Sequence, residues 1–530
     1  MSNHNQTTGV PAIEPRAAAE IELKLRGAPE ALQSLFDGAA IKARATGRGS
    51  SRRLENVYYD TADRRLRARG LAFRVRKDGR KYQQTLKSND AGGLVAYRGE
   101  WQTPLASATP DLALLPLEAS EVLRGLVEEG ELRSLFTTRV RRRTRRLATA
   151  VNGMTGLVEA ALDLGEIEAG DRRQPIAELE LELLDGSPAA LYDLALALGA
   201  ETPLQVEMRS KPARGYALAA SEPPAWYKAP PLALKPRTTV DEALQAILRT
   251  CLHHWCINEA AALDGRDPEG VHQMRVALRR LRSAVSTFGR LFASERRRWL
   301  ADGARRVIGT LGPVRDWDVF LSESLAPVLA ARPDDGNLAM LRDAAEDERR
   351  RGYEAARTSI GAPDYTRFLL ELGRWIEAAG WREQPTKRGA TWFGRPIVEF
   401  ADHLLAKRHK KALKLGRGFA ELTPAERHRV RIALKKLRYT AEFFQGLYGK
   451  KRTKAYLTAV KQLQDALGHL NDVAVAQTLT DKLIGRAGSP TALVLGSGTV
   501  LGWLARGVAE IEPQTQAAWE RFVDRKPFWH

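Results

Sequence analysis

Cysteine is almost missing from this chain: Cys251 and Cys256 are the only two in 530 residues. A disulfide framework is therefore excluded, and a reducing, cytoplasmic setting is the expectation. Both cysteines stand in CLHHWC with His253 and His254. Leu252 and Trp255 flank the histidines and no second cysteine pair follows, so a core helix is expected there rather than a zinc site. Long hydrophobic runs are missing too. The longest, TALVLGSGTVLGWLA at 491–505, is too short and too glycine-rich to span a bilayer. The polar opening MSNHNQTTGVPAIEPRAAA lacks the apolar stretch of a secretory leader. A soluble protein with no membrane insertion is expected. Acidic residues are the minority charge, 64 against 83 basic, for a net +19. That excess suits an anionic partner such as nucleic acid, an anionic membrane or a phosphate polymer.

The chain divides at SEPPAWYKAPPLALKPRT, residues 221–238, where five prolines oppose a helix or a central strand. Upstream, short segments alternate with period two. AFRVRKDGRKYQQTLK reads as a hairpin turning at Asp78-Gly79. VEAALDLGEI and AELELELLDG read as further strands. Downstream the pattern lengthens to helical periods. The charge divides unevenly as well: 48 basic against 34 acidic residues in 238–530, net +14, and 35 against 30 in 1–237, net +5.

The strands of the first region carry charge in an unusual way. In EIELKL, Glu20, Glu22 and Lys24 alternate with Ile21, Leu23 and Leu25; in ELELEL, Glu178, Glu180 and Glu182 share one face. Three carboxylates at i, i+2 and i+4 repel unless a cation sits among them. Other strands carry cations: Arg74 and Arg76 in AFRVRK, Lys87 in QTLK, Arg98 in RGEWQ beside Glu100. Asp163 lies in ALDLG. Carboxylates on some strands and guanidinium or ammonium groups on others suit a site for divalent metal and polyphosphate. A barrel could gather these faces inward, with helices over its aliphatic outside.

These segments resemble the CYTH domain, the triphosphate tunnel metalloenzymes, over residues 18–217. The likeness rests on E-x-E-x-K at Glu20, Glu22 and Lys24, on VYYDTADRRLRARGLAFRVR, on QTLK, on ELELEL and on SKPARGY, five motifs in the family's order. The resemblance implies an eight-stranded antiparallel barrel with flanking helices and a polar tunnel, so the charged face of EIELKL would point inward. It is nearest the bacterial members that carry a second, helical domain and hydrolyse inorganic triphosphate. By that likeness Glu20, Glu22, Glu178, Glu180, Glu182 and Asp163 would bind Mg²⁺ or Mn²⁺. Lys24, Arg74, Arg76, Lys87, Arg98 and Lys211 would grip triphosphate. FTTRVRRRTRR would add a cation, and its consecutive arginines leave Arg141 and Arg142 both open. Lys24 and Glu22 are the candidates for direct catalytic roles, Lys24 either holding the water or binding phosphate. Gln102 stands where the family often has an acid. No Ser, Cys or His stands out as a covalent nucleophile, which favours direct attack by water.

The second region contains one pattern twice. HQMRVALRRLR at 272–282 returns as HRVRIALKKLR at 428–438, and LGPVRDWDV at 311–319 returns as LGHLNDVAV at 467–475, both 156 residues later. A shared offset marks a duplicated helical unit. On a helix, His272, Arg275, Arg279 and Arg282 fall within about 80° of arc, and His428, Arg431, Lys435 and Arg438 repeat the stripe. KRHKKALKLGR adds Lys410 and Lys414. Asp316 and Asp472 read as neutralising or capping groups. Residues 238–526 resemble the CHAD domain in these basic helices, the LG-x-x-[RN]-D segments and the closing RFVDRKPFW. The resemblance implies a helical fold of two pseudo-repeated bundles that binds inorganic polyphosphate. Nucleic acid is disfavoured, since aromatic residues do not interleave with the basic runs.

The expectation is thus an α+β multidomain protein that hydrolyses inorganic triphosphate to pyrophosphate and phosphate in the first domain and binds polyphosphate through the second. A cytoplasmic location, with association to polyphosphate granules, goes with it. The rivals are an adenylate cyclase or thiamine triphosphatase, and a polyphosphate-binding protein without turnover.

Overall fold

Strict alternation of charged and aliphatic residues produces one large antiparallel sheet in the computed structural model, which describes residues 20–88, 94, 96–128, 130–151, 154–485 and 490–529. The strands are β1 (Glu20–Arg26), β2 (Ser50–Asp60), β3 (Leu71–Asp78), β4 (Lys81–Ser88), β5 (Ala96–Arg98), β6 (Glu100–Leu105), β7 (Arg133–Val151), β8 (Met154–Ala169), β9 (Arg172–Asp185) and β10 (Gln205–Val206). They pair in the order β10-β1-β9-β8-β7-β2-β3-β4-β6, with β5 paired to β1 off that path.

The eight-stranded closed barrel expected from the sequence is therefore corrected. The path holds nine strands and is not closed. The two-residue β10, on the outer edge of β1, raises the count to nine, and a break at Gly99 separates β6 from β5, which pairs with β1 off the path.

Both faces of β1 are covered. Glu22 and Lys24 are buried along with Leu23 and Leu25. The aliphatic face packs under helices, among them Ala189–Glu201, which has buried residues on every side, including Leu191, Tyr192, Leu194 and Leu198. Such a helix needs a second cover. It comes from far along the chain: the helix Pro363–Glu377 lies on it, and Arg374 pairs with Asp193. Contacts accordingly divide the chain into two compact units. One is Met1–Pro230 with Leu252–Arg266 and Gly361–Gly380; the other is the remainder. Residues 222–238 hold no helix or strand, as their prolines dictate.

Asp60 and Gly215 set the closing segment of the first unit. Asp60 is fully buried and accepts from the Leu66 and Arg67 amides and, at 2.9 Å, from the Tyr216 hydroxyl. Next to Tyr216, Gly215 lets the helix Lys211–Ala220 lie on Phe136, and a Cβ there would come within 2.1 Å of that ring. Phe136 in turn stacks on Tyr58 at 4.6 Å between centroids.

The second unit confirms the internal repeat at the level of whole helices. Helices begin at Val240, Glu269, Ser294 and Gly336, and again at Ile397, Pro424, Lys450 and Thr491. Each start recurs 155 to 157 residues later. The expected all-helical second region is observed. The glycines of the two LG segments have equivalent work. A Cβ on Gly312 would stand 3.4 Å from Arg275 Nη1, and one on Gly468 3.5 Å from Arg431 Nη2. Each lets an arginine of the preceding repeat helix lie against the backbone. The CLHHWC segment is helical, as expected, with both cysteines buried and His254 bonded through Nε2 to the Tyr227 carbonyl at 3.0 Å. Among the described residues no single helix is long and apolar enough to cross a membrane.

The Gly215 contact generates a test. Gly215→Ala should cost about 1–3 kcal/mol through overpacking against Phe136. The check is a lowered midpoint in the first urea transition, with the repeat helices unaffected.

Candidate active site

The inward face of the sheet encloses a cavity of about 60 Å³. Register puts the charges there. Across β1 and β9, Glu22 stands opposite Glu182 and Lys24 opposite Glu180; across β8 and β9, Glu159 stands opposite Glu182 and Asp163 opposite Glu178. Glu20, Glu22, Lys24, Arg74, Arg76, Lys87, Arg142, Asp163, Glu180 and Lys211 all line the cavity, with Asn56, Tyr58 and Ser210. Most of the residues proposed from sequence alone are thus brought together.

One side is a dense ion network. Lys211 Nζ lies 2.8 Å from Asp163 Oδ2, 2.7 Å from Glu178 Oε2 and 2.8 Å from Glu180 Oε1. Arg142 grips both oxygens of Asp163, at 2.7 and 2.6 Å, and reaches Glu180 at 2.5 Å. Arg214 pairs with the remaining oxygen of Glu178. Burial by itself would lower the Lys211 ammonium, yet Asp163, Glu178 and Glu180 outweigh it and hold it well above the lysine range. Burial likewise opposes the charge on Glu180, and Lys211, Arg142 and Lys24 overcome it, keeping the carboxyl well below its usual range. Here the charges satisfy one another.

Elsewhere they do not. Burial, then Glu20, Glu159 and Glu22, push Glu182 up to about 7. Carboxylates are in surplus at that point. On β3 the surplus is positive: Arg74 first, then burial and Arg142, push Arg76 down to about 9. Arg76 still keeps its proton at neutral pH. Its Nε donates to Asn56 Oδ1 at 2.8 Å, and among the described residues it has no carboxylate partner. Between these extremes Lys24 Nζ lies 2.9 Å from Glu22 Oε1 and 3.7 Å from Glu180. Lys87 bridges Glu20 at 2.8 Å and Glu100 at 3.0 Å, and Arg74 reaches Glu100 at 3.6 Å.

Some sequence-based candidates lie elsewhere or are already paired, and Glu178 and Glu182 do not line the cavity. Arg141 is on the exposed face of β7 while Arg142 points inward, which resolves the consecutive arginines. Arg98 stands opposite Glu20 in backbone register, and its side chain lies outside the described residues. Glu178 and Asp163 are bonded to Lys211 and to arginines. Gln102 donates to Glu100 at 2.5 Å, so the amide supports a carboxylate one alternate position away. Sequence reasoning missed Asn56, Tyr58, Glu159 and Arg214. Glu159 had a signal, since it precedes Asp163 by two alternate positions on β8. Asn56 had none.

The donor chemistry fits a hard divalent cation. Glu20, Glu22, Glu159 and Glu182 supply only carboxylate oxygens, and at Glu182 burial and the neighbouring carboxylates outweigh Lys87. As the side chains are placed, no three acidic, histidine or cysteine groups among the described residues converge on one point.

In the helical unit, both stripes form on the expected helices, Glu269–Phe288 and Pro424–Phe444. They share one field. Burial first, then Arg315, Arg279, Arg275 and Arg438, push His272 down to about 4, so a cation of the second stripe acts on the histidine of the first. Arg275 and Arg279 each bury an Nε without a hydrogen-bond partner. Arg275 also feels Asp316, consistent with a neutralising role for that acid; the side chain of Asp472 lies outside the described residues. Arg431 and Lys435 are half-buried, as is Arg438, which pairs with Glu442 at 3.2 Å. Arg282, His428, Lys410 and Lys414 are exposed.

Family models match this chain twice: a CYTH domain at 18–216 and a CHAD domain at 246–481. A curated relative, the inorganic triphosphatase of Haemophilus influenzae, is 32% identical over 177 residues. That match covers 32% of this chain and 47% of the relative, so the chain spans about half of its length. Among solved structures, the CHAD domain of the plant Ricinus communis is 33% identical with a TM-score of 0.48, covering 56% of this chain and 96% of that one. HpAC1 from Hippeastrum, described as showing a dominant triphosphatase activity, is 24% identical with a TM-score of 0.28, covering 38% of this chain and 96% of that one. The chain belongs to the CYTH–CHAD proteins, with a CYTH domain followed by a CHAD domain.

Proposed function

We propose that the CYTH cavity hydrolyses inorganic triphosphate with Mg²⁺ or Mn²⁺, and that the CHAD helices bind inorganic polyphosphate. The observation that carries the first part is the pair of opposite imbalances on the inward face of one sheet. Carboxylates crowd one another at Glu182, and cations crowd one another at Arg76. A metal–triphosphate complex relieves both at once; a simple anion or a simple cation relieves only one.

Glu20, Glu22, Glu159 and Glu182 would hold the metal. When bound, it would offset charge on the phosphates and polarise water. Arg74, Arg76 and Lys87 take the phosphoryl oxygens, where preplaced cations disperse the charge that builds as the phosphoanhydride bond breaks. Lys24, between Glu22 and Glu180, orients the attacking water or the terminal phosphate. Water adds to a terminal phosphorus, pyrophosphate departs, and the water's proton passes to solvent. Lys211, Arg142, Asp163, Glu178 and Glu180 support this arrangement by holding one another. The lining is mostly charged, with Tyr58 its aromatic residue, which suits inorganic triphosphate better than a nucleotide or thiamine triphosphate, whose ring systems would call for apolar or stacking partners. The match to an inorganic triphosphatase supports the same substrate.

Polyphosphate binding rests on the shared field of the two stripes, in which Arg315, Arg279, Arg275 and Arg438 all act on His272. A cytoplasmic protein associated with polyphosphate granules fits this reading.

Glu20→Gln and Glu22→Gln should each lower triphosphate turnover by at least about a hundredfold, as removal of key charge-stabilising groups does. Unchanged rates in both, or full wild-type activity in EDTA, would count against the mechanism.

Protonation adds a second check. The folded-state pKa of Glu182 lies above its unfolded value, so its contribution favours the fold at low pH and is lost as pH rises through about 7. Metal-free protein should therefore lose stability between about pH 5 and 7, and Mn²⁺ should restore it. Glu182→Gln should flatten that dependence in thermal melts.

For the helical unit, the full chain with Arg275, Arg279, Arg431 and Lys435 replaced by alanine should lose most of its binding to long polyphosphate in EDTA. Triphosphate turnover should stay measurable. Long polyphosphate should also displace nucleic acid from the unaltered chain at equal phosphate concentration; displacement in the opposite direction would refute the assignment.

A further inference from the structure

We propose that Asn56 is a positioning residue: it fixes the Arg76 guanidinium for a phosphate chain while leaving its charge unspent. The inference rests on the reading of the cavity as a triphosphate site.

The geometry is a polar row across three strands. Thr138 on β7, Asn56 on β2 and Arg76 on β3 stand at one level of the sheet, each opposite the next in register. Asn56 Nδ2 donates to Thr138 Oγ1 at 3.0 Å, and Asn56 Oδ1 accepts from Arg76 Nε at 2.8 Å. Arg can only donate, so the amide must turn its oxygen toward it. Thr138 is 0% exposed and Asn56 3%, so neither bond competes with bulk water. Asn56 and Arg76 both line the cavity.

The choice of an amide has a chemical consequence. Other cations of the cavity are held by carboxylates: Lys24 by Glu22, Lys87 by Glu20 and Glu100, Arg142 by Asp163 and Glu180. Such partners fix a cation and also cancel its charge. Arg76 is fixed by a neutral acceptor through Nε alone. Both Nη groups are without a hydrogen bond among the described residues, and their fork matches two oxygens of a phosphoryl group. A carboxylate at position 56 would hold the guanidinium equally well and would compete with substrate for it. Thr138 occupies the amide's donor side, which keeps the oxygen turned to Arg76.

Asn56→Asp tests this because it preserves shape and acceptor and adds only charge. KM for triphosphate should rise at least about tenfold, the size of a lost charged contact, while kcat changes far less. The Mn²⁺ concentration for half-maximal activity should stay as in the wild type, since the crowded carboxylates lie on β1, β8 and β9. Asn56→Ala, which frees Arg76 without neutralising it, should raise KM less than the aspartate does. This ordering keeps the idea testable if the aspartate variant folds poorly. Wild-type KM in Asn56→Asp, an alanine effect as large as the aspartate effect, or a parallel shift in metal requirement would overturn the positioning role. Arg76→Ala and the wild type, measured alongside, isolate the underlying reading. If the wild type neither binds nor hydrolyses triphosphate, or Arg76→Ala leaves KM unchanged, the cavity assignment itself fails.

Discussion

The structure of the first unit depends on Lys211. Its ammonium sits among Asp163, Glu178 and Glu180, which come from β8 and β9, while the lysine itself begins the helix that closes the fold. Three carboxylates gathered with so little solvent would repel one another and the sheet would open. With Lys211, Arg142 and Arg214 among them, the same groups become a polar support that positions β9 against β1 and β8. Every other charge in the cavity is placed relative to that support.

The support has a second effect. Because its charges are mutually satisfied, what remains on the inward face is an unsatisfied remainder: carboxylates around Glu182 and the guanidinium group of Arg76. A protein pays for such imbalance in stability, and perturbed titration of this kind concentrates at working sites. The imbalance has two signs on different strands, which an ordinary buried ion network lacks and which the proposed metal–triphosphate complex would relieve.

The helical unit arranges its charges differently. Repetition of one helix pattern places two cationic stripes in a common field, and glycines at 312 and 468 give each repeat's arginine a backbone to lie on. Here the cations are half-buried or exposed instead of enclosed, which suits the long polymer proposed as their ligand. The helix Pro363–Glu377 belongs by sequence to the helical half and by packing to the sheet unit, where it covers the largely apolar helix Ala189–Glu201.

Local pattern alone determined a good deal. Period-two alternation in EIELKL and ELELEL specified strands with a charged face, because a strand turns successive side chains to opposite sides. The 156-residue recurrence specified duplicated helices, and the prolines of 221–238 specified a segment without regular structure. Tertiary structure decided what pairing and burial control. Consecutive arginines share a pattern in either register, and only pairing with β8 turned Arg142 inward and Arg141 out. Stacked glutamates look alike in sequence, yet Glu178 meets Lys211 and Arg214 while Glu182 meets other carboxylates, because different strands lie opposite them. Asn56 carried no signal at all. Its role comes from standing level with Thr138 and Arg76, residues 82 and 20 positions away, and only strand pairing brings such distant residues into one row.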